Sequence, residues 1–108
     1  MARETTQQAF AAAWAEGGLV IDVREADEQT AGHVPGARLM PLRSVPARCD
    51  ERPADRPVFV ICASGNRSRT AAYWMTSRGI DAYSVTGGTR AWAHAGHPIA
   101  AGHHEHAA

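Results

Sequence analysis

Short apolar runs alternate with amphipathic stretches along most of this chain. Residues 19–23 read Leu-Val-Ile-Asp-Val and residues 58–61 read Val-Phe-Val-Ile, with little of the polar alternation of a half-exposed strand. Such runs are typical of strands that are covered on both faces. Shorter runs at 37–40 and 82–85 predict two further strands.

Helical patterns separate these strands. A helix that begins after Thr5 or Thr6 is predicted to end at the glycine pair 17–18, because threonine is a favourable N-cap and glycine commonly follows a helix. A second helix is predicted over 68–78, ending before Gly79. The remaining segments are predicted to be shorter or irregular: single helical turns at 27–31 and 42–45, a loop from 46 to 57, a turn at the glycine pair 87–88, and a closing helix over 89–95.

Strands that alternate with helices over about 100 residues indicate a three-layer α/β domain. We therefore expect a largely parallel central sheet of about five short strands, flanked by helices. One hydrophobic core is expected, since a chain of 108 residues is too short for two. The domain is predicted to span residues 1–100, and residues 101–108 are predicted to form a mobile, His-rich C-terminal tail.

Charge and composition exclude several classes of function. Eleven basic residues balance eleven acidic ones, so long-range attraction to nucleic acid is not expected. All eleven basic residues are arginine, which excludes a lysine Schiff base. Two cysteines are too few for a disulfide scaffold, and no signal peptide or membrane-length apolar run is evident. We expect a cytoplasmic protein without nucleic-acid or membrane contacts.

The segment after the strand 58–61 carries the candidate chemistry. Cys62 follows that strand directly, and residues 63–67, Ala-Ser-Gly-Asn-Arg, lead into the predicted helix. Loops at the carboxyl ends of parallel strands bind ligands in open α/β sheets. The loop N–H groups, the helix dipole and Arg67 favour a thiolate, so the pKa of Cys62 is expected to fall. The same loop would bind a persulfide, a phosphate ester or an arsenate adduct.

Three separated stretches resemble the rhodanese family in its single-domain form. Val20–Glu28 and Gly32–Ala37 are similar to that family's D-x-R…E…G-H-[IV]-x-G-A signature. The Cys62–Arg67 loop is similar to its active-site loop, and Val85–Trp92 to its G-G…W ending. Together the matching stretches lie within residues 5–98, and their order and spacing make the resemblance specific.

The resemblance implies a sulfurtransferase that acts by double displacement without a cofactor or metal. A small anionic donor such as thiosulfate would give its sulfane sulfur to Cys62, and cyanide or a thiol would remove it, with ping-pong kinetics. A protein could replace either small molecule. Cys62 is then the nucleophile, and Arg67 closes the loop and engages an anionic donor. The implied substrate-binding residues are Ala63, Ser64, Gly65, Asn66 and Arg67.

Three alternatives remain open at this stage. Four residues separate Cys62 from Arg67, whereas cysteine phosphatases place five there, so a phosphatase or arsenate reductase is the enzymatic alternative. A non-catalytic interaction module is disfavoured because Cys62 and Arg67 are both present, and a persulfide carrier would turn over small molecules slowly. Ala63 stands where thiosulfate-using members often have a basic residue, which points to weaker use of thiosulfate.

Several other polar residues are interpreted as structural. Asp22, Arg24 and Glu28 are expected to form one ion-pair network that holds the first strand to the following turn. His33 is expected to fix a turn rather than act as a general base, and Cys49 is interpreted as a loop residue rather than a resolving thiol. Several histidines near the C-terminus are expected to bind metal only adventitiously: His94, His97, His103, His104 and His106.

Overall fold

The computed structural model describes residues 3–51 and 55–102. Within these ranges five strands form one parallel sheet. The strands are β1 (Glu4–Thr5), β2 (Leu19–Asp22), β3 (Arg38–Leu39), β4 (Val58–Ile61) and β5 (Ala82–Val85). Their order across the sheet is β1-β5-β4-β2-β3. The expected α/β fold with a five-stranded parallel sheet is therefore confirmed.

Five α-helices lie between or after the strands in the described ranges. They are α1 (Gln7–Ala15), α2 (Ala26–Ala31), α3 (Val45–Arg48), α4 (Asn66–Ser77) and α5 (Gly88–His94). Two short 3₁₀ segments, Leu42–Ser44 and Cys49–Glu51, flank α3. None of the helices in the described part of the chain is long and apolar enough to cross a membrane.

The sheet separates two apolar clusters, because successive strand side chains point to opposite faces. On one face Ile21 and Val60 pack with Met75 of α4 and its neighbours. On the other face Val20 and Ile61 belong to a cluster that includes one aromatic residue from each of two helices, Phe10 of α1 and Trp92 of α5. The two rings meet edge to face with centroids 5.2 Å apart. This burial on both faces explains the continuous apolar runs of β2 and β4.

The predicted loop over 46–57 is wrong for its first part. The helix α3 and the 3₁₀ segment Cys49–Glu51 occupy residues 45–51, and Val45 and Cys49 are both buried in the core. Proline has no backbone N–H, but the N–H groups in the first turn of a helix have no acceptor within the helix. Pro46 lies in that first turn and therefore does not break α3. Residues 52–54 lie outside the described residues.

Two further boundaries differ from the prediction. The helix α4 begins at Asn66 rather than at 68, so Asn66 and Arg67 belong to its first turn and not to the preceding loop. The strand β1 was not predicted, because its two residues are polar and only their pairing with Ser84 and Val85 of β5 makes them a strand. The domain boundary at residue 100 stays a prediction, and residues 103–108 lie outside the described residues.

Candidate active site

The candidate site lies where the carboxyl ends of β2 and β4 meet. The two strands are parallel neighbours, with Asp22 opposite Ile61 at their ends. The chain continues from β2 towards one edge of the sheet, through β3, and from β4 towards the other edge, through β5. Open α/β sheets bind ligands at such a switch point, because the two loops that leave it diverge and form a crevice.

The Cys62 sulfur lies inside the loop that follows β4. The Gly65 N–H donates a hydrogen bond to Sγ at 3.0 Å, and the Ser68 hydroxyl oxygen lies 3.4 Å from Sγ. Burial of Cys62 raises the pKa of its thiol, but the Ser68 hydroxyl and the backbone N–H groups of Ser68, Gly65 and Ser64 lower it further than burial raises it. The pKa therefore lies below the ordinary value for cysteine, which increases the thiolate fraction at neutral pH.

A second buried hydroxyl, that of Ser84, lies within hydrogen-bond distance of Ser68. The Oγ atoms of Ser68 and Ser84 are 2.7 Å apart, and both residues are fully buried. Ser68 Oγ also lies 3.1 Å from the Gly65 carbonyl oxygen, to which it can donate. When Cys62 is a thiolate, the Ser68 proton can turn to the sulfur while Ser84 donates to Ser68. Neither serine was predicted as a site residue; the available signal for Ser84 was its place as a polar residue within the apolar strand β5.

We predict that replacing Ser68 with alanine makes Cys62 less reactive. The variant loses a hydroxyl that stabilises the thiolate, so the pKa of Cys62 rises and its alkylation by iodoacetamide at pH 7 slows about tenfold. The measurement is the alkylation rate as a function of pH. Ser77→Ala is the matched control, since that hydroxyl donates to the Trp74 carbonyl on the exposed side of α4. Equal pH profiles for wild type and Ser68→Ala would contradict the assignment.

Arg67 forms an ion pair with a carboxylate of α2. Its guanidinium donates to both carboxylate oxygens of Glu28, at 2.7 and 2.8 Å. These bonds, together with the Glu25 N–H, lower the pKa of Glu28 to about 2, and the pKa of Arg67 is raised in return. The single network predicted for Asp22, Arg24 and Glu28 is therefore two separate ion pairs, one between Arg24 and Asp22 and one between Arg67 and Glu28. Glu28 pairs across the crevice, because α2 and the first turn of α4 face each other there.

Arg24 and Asp22 form the other ion pair, and this one is buried. The Arg24 Nε and Nη2 atoms donate to the Asp22 carboxylate, and Nη2 also donates to the Gly32 carbonyl at 2.8 Å. His33 lies nearby and is also buried, with Nδ1 2.8 Å from the Gln29 carbonyl oxygen and its backbone paired with Ala100. These contacts fix the turn after α2, which is the structural role expected for all three side chains.

The start of α5 packs directly on the active-site loop. The Thr89 N–H donates to the Cys62 carbonyl at 2.8 Å, and the Arg90 N–H donates to the Ala63 carbonyl at 3.0 Å. A Cβ at Gly88 would lie 2.5 Å from the Cys62 oxygen and 2.6 Å from the Ala63 oxygen. The interpretation of the glycine pair 87–88 as a simple turn was therefore incomplete. Gly88 is the first residue of α5, and its missing side chain permits this contact.

The residues predicted for the site are only partly brought together around the sulfur. Gly65 and Ser64 direct backbone N–H groups at Cys62. Ala63 instead lines a pocket of about 360 Å³ beside the loop, together with Glu28, Thr89 and Arg90 among others. The exposed Asn66 side chain accepts a hydrogen bond from Arg69 at 2.7 Å, and the Arg67 guanidinium is engaged by Glu28. Thr89 and Arg90 were not predicted as pocket residues.

Comparisons with known proteins agree on one family. The model of the rhodanese-like domain matches residues 6–95. The chain is 40% identical over 78 residues to the thiosulfate sulfurtransferase GlpE of Pseudomonas putida strain GB-1, covering 71% of each chain.

Two solved structures extend the comparison. A rhodanese-related protein of Thermoplasma volcanium has 26% identity and a TM-score of 0.85, with 91% of this chain and 97% of that one covered. A rhodanese-like domain protein of Staphylococcus aureus has 28% identity and a TM-score of 0.77, with 83% of this chain and 90% of that one covered.

Proposed function

The chain belongs to the rhodanese-like domain family, and on that premise we propose that it is a sulfurtransferase that acts through a persulfide on Cys62. The observation that carries the proposal is the environment of the sulfur. A thiol whose pKa is lowered by loop N–H groups and a serine hydroxyl is suited to nucleophilic attack on a sulfane sulfur. The relative named above is called a thiosulfate sulfurtransferase, so we propose thiosulfate as the test donor.

The proposed reaction has two displacement steps. The Cys62 thiolate attacks the outer sulfur of thiosulfate, an Sγ–S bond forms, and the sulfur–sulfur bond of the donor breaks with its electron pair leaving on sulfite. Cyanide or a thiolate then attacks the outer sulfur of the persulfide and releases the Cys62 thiolate. Each step exchanges one bond for another, so the cycle needs no cofactor, metal or external oxidant.

We assign the loop residues as follows. Cys62 is the nucleophile, and the N–H groups of residues 63–66 stabilise negative charge on the bound sulfur. Arg67 contributes positive charge at the mouth of the loop, and its guanidinium has three N–H donors beyond the two that bond to Glu28, with which it can contact a donor anion. We propose action in the cytoplasm, where thiols stay reduced, with either a small molecule or a protein as donor and acceptor.

We predict a covalent sulfur adduct on the isolated protein. Reduced protein is incubated with thiosulfate, desalted and weighed intact; the expected gain is about 32 Da, one sulfur atom, as required for a ping-pong intermediate. Cyanide should remove the added mass and release one equivalent of thiocyanate. An adduct formed only from a protein persulfide would identify a carrier. Hydrolysis of p-nitrophenyl phosphate without any sulfur adduct would replace the proposal with the phosphatase alternative.

A further inference from the structure

Glu28 offsets the positive charge that Arg67 brings to the mouth of the active-site loop. Its carboxylate accepts from Nη1 and Nη2 of Arg67 at 2.7 and 2.8 Å, and its Oε1 also accepts from the Glu25 N–H at 3.0 Å. The bond to Glu25 belongs to a capping box at the start of α2, so the carboxylate is fixed from both sides. Arg67 is therefore present in the crevice as one half of a neutral pair.

This ion pair is close enough to the nucleophile for its charges to act on a bound anion. The pKa of Arg67 is raised first by its hydrogen bonds to Glu28 and also by the charge of Cys62. Glu28 lines the pocket beside the loop together with Ala63, the residue that follows the nucleophile. An anionic donor at the sulfur is therefore exposed to the negative charge of Glu28 as well as to the positive charge of Arg67.

The neighbouring ion pair adds no net charge to the mouth of the loop. Arg24 and Asp22 are both buried, with Nη2 and Oδ2 2.8 Å apart, so their charges cancel. Arg90 is a further cation among the residues that line the pocket, and its charge is the same whatever residue stands at position 28. The charge at the mouth therefore rises by one unit when Glu28 is made neutral and Arg67 is kept.

We propose that Glu28 is a specificity-determining residue that shifts Cys62 from doubly charged donors such as thiosulfate towards singly charged sulfane-sulfur donors such as thiosulfonates. The energy of an anion in an electrostatic potential is proportional to its charge, so a dianion loses twice as much attraction as a monoanion when Glu28 offsets Arg67. Both donors react in the same way. The Cys62 thiolate forms an Sγ–S bond with the outer sulfur, and the sulfur–sulfur bond of the donor breaks with its electron pair leaving on sulfite or on a sulfinate. The proposal rests on the function proposed above.

The test compares thiosulfate with methanethiosulfonate, which has the same outer sulfur but a single negative charge. The second-order rate constant of sulfur loading for thiosulfate is divided by that for methanethiosulfonate, so that changes in the reactivity of the Cys62 thiolate cancel. We expect Glu28→Gln to raise this ratio about fivefold at low salt, because one negative charge near the donor is removed while the glutamine oxygen can still accept from Arg67. Asp81→Asn is the control. It removes the same charge from an ion pair with Arg3 before β5, at the opposite end of the sheet, and should leave the ratio unchanged.

Salt distinguishes an effect of charge from a displacement of the Arg67 side chain. In about 0.5 M KCl the Debye length falls to about 4 Å, so the increase caused by Glu28→Gln should shrink to less than about twofold. A ratio that Glu28→Gln leaves unchanged or lowers overturns the proposal. A raised ratio that salt does not reduce also overturns it, since a moved guanidinium and not a missing charge then accounts for the change.

Alkylation of Cys62 tests the same assignment without any sulfur transfer. Iodoacetate and iodoacetamide are similar in size but differ by one negative charge, so the ratio of their rate constants reports the electrostatic potential at the sulfur. We expect Glu28→Gln to raise the iodoacetate to iodoacetamide ratio about fivefold and Asp81→Asn to leave it unchanged. If neither donor loads sulfur but this ratio rises, the function proposed above fails while the charge effect of Glu28 is supported. An equal ratio in wild type and Glu28→Gln overturns the role of Glu28 and leaves sulfur transfer untouched.

Discussion

Replacing Cys62 with serine abolishes sulfur loading: the mass of the variant stays unchanged in the incubation that adds about 32 Da to wild type. A serine hydroxyl remains protonated at neutral pH and cannot form the sulfur–sulfur bond of a persulfide. We expect loading and cyanide-dependent turnover to fall at least about 10³-fold. The fold should persist, because a serine Oγ can still accept from the Gly65 N–H and contact Ser68. Circular dichroism and the urea midpoint check this.

Cys49→Ala is the matched control for that experiment. Cys49 and Cys62 are both buried, at 1% exposure each, and neither forms a disulfide. The alanine variant should load sulfur like wild type, with a loss of about 1 kcal/mol in unfolding free energy from the missing sulfur atom in the core. Loading that survives in Cys62→Ser but disappears in Cys49→Ala would transfer the nucleophile role to Cys49.

Replacing Gly88 with alanine lowers the free energy of unfolding by about 4 kcal/mol, a large share of the about 5–15 kcal/mol typical of such a domain. The added Cβ would lie 2.5–2.7 Å from backbone atoms of Cys62 and Ala63, and neither can move without disturbing the loop. We therefore also expect slower sulfur loading, because the loop N–H groups no longer converge on the sulfur. Urea unfolding and the loading rate measure the two effects.

Gly79→Ala separates this steric effect from backbone strain. Gly79 has φ +82° and Gly88 has φ +61°, so an alanine is disfavoured at both positions, but a Cβ at Gly79 would meet nothing within 4 Å. Gly79→Ala should lose only about 1–2 kcal/mol and load sulfur normally. Equal losses in the two variants would show that the close approach of α5 to the loop does not constrain the fold.

Much of the fold was predictable from local patterns. The runs at 19–23, 58–61 and 82–85 predicted β2, β4 and β5 to within a residue, because burial on both sheet faces demands continuous apolar side chains. The first helix was also predicted, and Thr6 caps it by accepting from the Ala9 N–H at 3.0 Å. The segment 46–51 was not predicted, because a single buried residue, Cys49, and a proline at a tolerated helix position are typical of a loop when only the local sequence is considered.

The sequence by itself determined the family resemblance, the alternation of strands and helices, and the position of Cys62 between a strand and a helix. These features can be predicted from residues that are close to one another in the sequence. Three contacts were decided only by the tertiary structure. Glu28 forms an ion pair with Arg67, the Ser84 hydroxyl lies within hydrogen-bond distance of Ser68, and the missing side chain of Gly88 lets α5 approach the loop. The partners in these contacts lie 16 to 39 residues apart in the sequence. Such contacts follow from the order of strands in the sheet, which local patterns do not specify.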